Sequence, residues 1–192
     1  SIDAQYELFP LENIEEISAI KNEQENLSGL NVTIPYKESI IPFLDEISEY
    51  MGKDPIAFRL ELLQRAKENP VGKMNDYDPS RYMGVLELVR EKSGWGKPEN
   101  AGKKRGVSAY FCHNSYVAEV VDVVLKDSKP VIEKVVAAVD CGIVVNRDSA
   151  INMGEGAIVD GIGNALFGEL TFKDGVPNKN NFHQYRMIRQ QD

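Results

Sequence analysis

Apolar positions recur along the chain at two periods, and the change from one to the other divides it into an opening β-α-β-α run, a helical middle and a strand-rich stretch that leads into one long helix. Gln5-Tyr6-Glu7-Leu8-Phe9 alternates polar and apolar residues, Pro10 breaks the run, and Asn13 suits the cap of a helix in which Ile14, Ile17 and Ile20 recur. Turn residues between Asn26 and Gly29 precede a short strand, Leu30–Ile34, which Pro35 stops. A helix through Ile40, Phe43, Leu44 and Ile47 follows. This order predicts a parallel sheet at the start, because parallel neighbours need a crossover helix.

From Met51 the signals become those of separate helices. Gly52-Lys53-Asp54-Pro55 offers a stop, an N-cap at Asp54 and a proline at the first helical position. Phe58, Leu62 and Leu63 then mark an amphipathic helix ending near Asn69-Pro70. Asp78-Pro79 repeats the start signal for a helix through Met83, Leu86 and Val89 that stops at Gly94-Trp95-Gly96, and residues 96–104 read as a loop. Three strands follow, Val107–Cys112, Tyr116–Leu125 and Val131–Val139, with turn chemistry at Lys126–Pro130. Valines 120, 121, 123 and 124 put apolar groups on both faces, which predicts a sheet covered on both sides.

Asn146 to Phe167 reads as a helix with Ile151, Ile158, Ile162 and Leu166 on one side and Gly154, Gly156, Gly161 and Gly163 inside it. Each interior glycine costs about 1 kcal/mol relative to alanine. Four of them predict that backbone, ligand or a neighbouring strand comes too close to admit a β-carbon. A second hairpin from Glu169 turns at Lys173-Asp174-Gly175. The fold class expected is mixed α/β: a short β-α-β-α segment, then helices, an antiparallel-rich sheet and a glycine-bearing helix packed on it.

Composition narrows the partners. The 192 residues are 42% apolar, enough for a core, and the formal charge of -8 repels nucleic acid. Two cysteines, Cys112 and Cys141, form neither a disulfide framework nor a CxxC site, so a reducing, cytoplasmic setting is expected. No apolar run approaches the roughly 18 residues of a membrane span, and no basic segment leads into an apolar one at Ser1-Ile2-Asp3. Without a histidine nearby in sequence, Cys141 is expected to be a buried small apolar group, and His113 and His183 are expected in core or surface hydrogen bonds. Asp140 and Glu155 suit a strand-end capper and a helix-face acid.

Gly29-Leu30-Asn31-Val32-Thr33-Ile34-Pro35-Tyr36-Lys37-Glu38 resembles the substrate-binding domain of shikimate dehydrogenases, a likeness covering about residues 1–48. It implies that Asn31 and Thr33 bind shikimate hydroxyls and that Lys37 is catalytic, where a lysine stabilises developing negative charge or relays a proton. The same residues also suit ordinary strand-end polar groups and a solvated lysine at a helix start. That family needs NADP, and no glycine-rich nucleotide-binding domain follows here.

A second likeness starts with Phe43-Leu44-Asp45-Glu46-Ile47 and Gly52-Lys53-Asp54-Pro55-Ile56-Ala57-Phe58-Arg59. It continues through Ser115–Val120, Ala138–Asn146, Glu155–Leu166 and Asn181–Arg189. These runs resemble the isoquinoline 1-oxidoreductase beta subunit, of the xanthine-oxidase type. The resemblance implies a molybdenum-pterin cofactor gripped by amides, a separate iron–sulfur small subunit as electron exit, and oxidation of aromatic nitrogen heterocycles or aldehydes with water as oxygen source. It implies cofactor contact at Asn152, Met153 and Gly154, with Met153 standing where a glutamine is usual; a methionine cannot make that amide hydrogen bond. Tight helix-on-sheet packing with no ligand explains the same glycines. The family's catalytic glutamate, in a Gly-x-Gly-Glu-like segment, lies beyond the Asn181-Phe182-His183 motif, and no such segment occurs in these residues. The two likenesses meet inside Pro42–Ser48, so the expected division is 1–48 and 49–192. The expected function is a partial molybdenum hydroxylase, inactive alone; the alternatives are a shikimate-binding segment, or a chimeric or truncated folded module without activity whose bare apolar surface favours self-association.

Overall fold

The computed structural model describes residues 44–70, 77–98 and 104–189. The opening β-α-β-α run predicted from the sequence lies outside the described residues, apart from the end of its last helix. The chain divides into two compact units, Ser1–Asp140 and Cys141–Asp192.

In the first unit, α1 (Leu44–Tyr50) turns at Gly52 into α2 (Pro55–Glu68), and α3 (Pro79–Ser93) follows. Both longer helices begin as their sequence dictates. The Asp54 carboxylate accepts from the Ala57 N–H at 2.9 Å, and Asp78 accepts from Ser80 and Arg81, with proline at the first helical position each time. α3 ends at Gly94, whose φ of 63° is the left-handed turn that glycine adopts at no steric cost. The indole Nε1–H of Trp95 then donates to Asp54 at 2.5 Å, tying the end of α3 to the start of α2.

Strands β1 (Lys104–Cys112), β2 (Ser115–Lys126) and β3 (Lys129–Asp140) form an antiparallel meander in the order β1-β2-β3. The mixed α/β class is therefore met, with an antiparallel described sheet. Both hairpins turn on two residues of positive φ, His113-Asn114 and Asp127-Ser128. Two such residues match the right-handed twist of the strands they join.

One face of the sheet is closed. Val107, Ala109, Ala118, Val120 and Ala138 form a single core with Val85, Leu86 and Val89 of α3 and Ile56 and Leu63 of α2. The period-2 alternation of β2 puts Tyr116, Ala118, Val120 and Asp122 into that core. On the other face Val117, Val121 and Val123 are half-buried and Tyr110 and Val139 are 46% and 54% exposed, so among the described residues of this unit helices cover one side of the sheet. The physical reason is that α2 packs against α3, so both helices serve one face.

Two arginine–aspartate pairs fix α3 to the sheet. Arg105 on β1 donates Nε to Asp122 on β2 at 2.7 Å, and its Nη2 and Nη1 reach the carbonyls of Ser93 and Gly94 at 2.7 and 3.3 Å. Both side chains are under a tenth exposed. At the other end, Arg81 grips Asp140 with Nε at 2.9 Å and Nη2 at 2.7 Å, stacks 4.6 Å from the Tyr116 ring and donates to Asn114. The Tyr116 hydroxyl in turn accepts from the Asp78 N–H at 2.7 Å.

The second unit holds α4 (Arg147–Phe167), capped by the Asn146 side chain on the Ser149 N–H at 3.0 Å, and a short hairpin of β4 (Phe172–Lys173) and β5 (Val176–Pro177). The hairpin turns at Asp174-Gly175 as the sequence predicts, though its first strand is shorter than the run from Glu169 suggested.

Replacing Asp122 by alanine is expected to lower stability by about 3–5 kcal/mol in urea unfolding, since it leaves the Arg105 charge buried and unpaired. The double change Arg105→Met, Asp122→Leu regains only part of this. The remaining deficit, about 1–3 kcal/mol, reports the orphaned carbonyls at the end of α3. A double variant as stable as the parent would deny those carbonyls any dependence on Arg105.

Candidate functional site

Asn31, Thr33 and Lys37 lie outside the described residues, so the candidate site that can be built atom by atom is the start of α4. Asn146 spends its side-chain oxygen on the helix cap. Within the next turns Asn152 is exposed, Met153 is 76% exposed and Gly154 is half-buried. The three sit side by side on one helical segment. Their surroundings hold no group of three or more His, Cys, Asp or Glu able to take a metal ion among the described residues.

The glycines of α4 are not equivalent. A β-carbon on Gly163 would lie 2.9 Å from Cβ and Cγ2 of Ile188, so this glycine answers to the close approach of the chain's own 185–188 segment. That segment is tied down beside it, with Arg186 stacked 4.3 Å from the Phe167 ring. Gly154, Gly156 and Gly161 have nothing within 4 Å of a β-carbon. The expectation of a crowded neighbour holds at one position of four. Gly154 and Gly161 also fall in line with Ala150, Ala157 and Ala165 at helical spacing, a strip with no side chain larger than methyl.

A cradle with open glycines fits a flat, rigid group lying against backbone, and the Asn152 amide adds donors and an acceptor. Met153 fits less well, because its thioether donates nothing. On these grounds Asn152, Gly154 and the open Gly156 are the residues that suit a pterin.

Other expectations divide. Cys141 is exposed, contrary to the buried small apolar group expected of a cysteine with no histidine nearby in sequence, because the run Cys141–Asn146 leaves the sheet after β3 and Ile143 and Val145 are 94% and 96% exposed. His113 makes the expected surface hydrogen bond, its Nδ1 lying 2.9 Å from the Cys112 sulfur. Asp140 is the strand-end acid foreseen, yet its partner Arg81 was not legible, since 59 positions separate them. Sequence reasoning also passed over Glu119, a carboxylate whose proton affinity burial raises. Its signal was present: it is one of two acids, with Asp122, inside the valine run of β2.

The glycine geometry makes a graded prediction. Gly163→Ala is expected to destabilise by about 1–3 kcal/mol through overpacking on Ile188. Gly154→Ala, Gly156→Ala and Gly161→Ala should each stabilise the chain by up to about 1 kcal/mol. Thermal unfolding of the four variants measures this, and equal losses at all four would contradict it.

Comparison with known proteins matches two families. The molybdopterin cofactor-binding domain matches residues 61–192, and the shikimate dehydrogenase substrate binding domain matches residues 1–52. The membrane-bound aldehyde dehydrogenase [pyrroloquinoline-quinone] of Gluconacetobacter polyoxogenes is 31% identical over 160 residues, 77% of this chain and 20% of that protein. The isoquinoline 1-oxidoreductase subunit beta of Brevundimonas diminuta is 28% identical over 158 residues, 80% of this chain and 18% of its own length. The shikimate dehydrogenase (NADP(+)) of Syntrophomonas wolfei is 83% identical over 67 residues, 35% of this chain and 20% of that one. The chain thus spans about a fifth of the length of these curated relatives. Both resemblances read from the sequence are met, and through residues 61–192 the chain belongs to the molybdopterin cofactor-binding domain family.

Proposed function

We propose that residues 49–192 are part of the molybdenum-pterin cradle of a molybdenum-hydroxylase-type oxidoreductase, of the isoquinoline 1-oxidoreductase kind, and that the chain alone does not turn over. The observation that carries this reading is the start of α4, where Asn152 and the open Gly154 and Gly156 offer amide and backbone surface within the family match. When bound, the molybdenum-pterin group supplies hydroxylation of an aromatic nitrogen heterocycle or an aldehyde with water as oxygen source. The chain's own part is to hold and orient it. Asn152 would donate to the pterin ring system, and the glycines would let that ring lie on backbone without a side chain between. No Gly-x-Gly-Glu run occurs in these residues to provide the base, and the iron–sulfur partner that drains electrons belongs to another subunit, which is why turnover is not expected.

The test is molybdenum content by elemental analysis after expression in cells that make the cofactor. The parent chain is expected to retain substoichiometric metal, Met153→Gln several-fold more by restoring an amide donor, and Gly154→Val none. Equal molybdenum in all three would remove α4 from the cradle.

A second reading is favoured by the 83% identity over 67 residues to a shikimate dehydrogenase: the opening segment keeps a weak site for a hydroxylated cyclohexene acid at Asn31 and Thr33, with Lys37 beside it. Shikimate at millimolar concentration is expected to shift the amide resonances of Thr33 and Lys37. Resonances that stay put, or that move equally in Thr33→Val, would end it.

A further inference from the structure

We propose that Cys112 is a modification site, a reactive thiol that exchanges with small disulfides, with His113 as the base that removes its proton. The chain has two cysteines and two histidines, and the fold sets one of each side by side. The Cys112 sulfur lies 2.9 Å from Nδ1 of His113, and both side chains are exposed. Cys141 is exposed as well, but no imidazole contacts it among the described residues. A thiol with an imidazole in hydrogen-bond reach is the nucleophile-and-base unit of covalent chemistry, whereas an unassisted thiol near neutral pH is mostly protonated and slow.

The β1–β2 turn makes the contact. Cys112 pairs with Ser115 as the last rung of the two strands, and His113 and Asn114 close the turn at φ 48° and 60°. The turn is anchored from α3: the Asn114 side-chain oxygen accepts from Arg81 Nη1 at 3.0 Å, and Asp140 holds Arg81 in turn. The backbone that carries His113 is therefore fixed to the folded unit at a hairpin tip that solvent and small reagents reach. Tyr110, two residues back on β1, and the Arg81–Asp140 pair are the other titratable groups at this end of the sheet, and the pair is spent on itself. No third His, Cys, Asp or Glu among the described residues joins the two as a metal-binding group, and two donors fall short of the set a metal ion needs.

The exchange balances with the disulfide as its only co-reactant. With the proton of the neutral ring on Nε2, Nδ1 accepts the proton from Cys112 Sγ, and the thiolate attacks one sulfur of the disulfide. The new bond from Sγ forms as the S–S bond of the reagent breaks, and the departing thiolate takes the proton back from the imidazolium. Cys112 ends as a mixed disulfide, which a free thiol reverses by the same route.

Glutathione disulfide is the probe, applied to the whole chain. Cys141→Ser and Cys112→Ser each leave one thiol, and mass spectrometry follows the glutathione adduct on each at neutral pH. Cys112 is expected to react about tenfold faster than Cys141, since only a few per cent of an unassisted thiol is ionised there. Adding His113→Asn to Cys141→Ser is expected to bring Cys112 down to the rate of Cys141. Asparagine suits the left-handed backbone at this position, and its amide takes no proton. At about pH 10, where thiols ionise unaided, the rates with and without His113 should converge, which a merely structural role of the imidazole would not produce. Three results would overturn the proposal: equal rates for the two thiols at neutral pH, a His113→Asn variant that reacts there as fast as its parent, or a difference between those two that persists undiminished in alkali.

Discussion

The described part of the first unit rests on α3 being held at both ends against one face of a three-stranded sheet. Its own buried face is short, with Val85, Leu86 and Val89 as the central contacts. Apolar packing has no direction, so such a helix could slide or rotate on a smooth surface of valine and alanine. The two arginine–aspartate pairs remove that freedom. Arg105 joins β1, β2 and the carbonyl end of α3 in one hydrogen-bonded knot, and Arg81 joins the amide end of α3 to the last residue of β3. The cation at the carbonyl end also opposes the negative pole of the helix dipole. Breaking the buried Arg105–Asp122 pair would cost more than making it gains, because desolvating a charge is expensive and only the partner offsets it, whereas the half-exposed Arg81–Asp140 pair keeps part of its solvation.

That clamp explains the asymmetry of the sheet. With α3 pinned and α2 stacked upon it, the helical apolar surface is spent on one side. Aromatic rings fill the corner near Arg81, where Tyr77, Tyr82, Phe111 and Tyr116 contact one another, and burial pushes the Tyr82 phenol up to about 12. On the far side Val117, Val121, Val123 and Val135 are half-buried, and among the described residues of this unit no helix packs on them.

Local signals were read well and distant ones were not. Asp54-Pro55 and Asp78-Pro79 announce their helices because an N-cap and a proline act over a few neighbouring residues, and both starts fall where those residues put them. Asn146 likewise caps α4 and Gly94 closes α3. The three strands were legible from β-branched runs, but which face each run buries depends on where α2 and α3 dock. Val121 and Val123 look as core-like in sequence as Val120, and only the helix positions separate them. Arg81–Asp140 and Arg105–Asp122 are contacts between elements far apart in the chain, and nothing in periodicity specifies them. Of the candidate site, the helix and its glycines could be read beforehand. Which glycine answers to a neighbour could not, because Ile188 reaches Gly163 only through the fold of the 168–188 segment.

The open glycines of α4 bring these threads together. A helix pays in stability for every glycine whose β-carbon would meet nothing, because the unfolded chain gains freedom that the folded one does not use. In α4 that cost is incurred at Gly154, Gly156 and Gly161, while the same helix leaves Ile151, Met153, Val159 and Leu166 at the surface. A helix optimised for the unit Cys141–Asp192 alone would carry alanine at the open positions and bury its isoleucines. The pattern makes sense for a surface shaped to receive something flat and close, with apolar side chains to either side of a bare backbone strip. A pterin laid on Asn152–Gly156 meets that description over one or two turns, and a packed strand meets it over the longer line from Ala150 to Ala165. The two demands overlap at Gly154, so under the proposed reading the first turns are shared and only the line from Ala157 to Ala165 is left to packing alone.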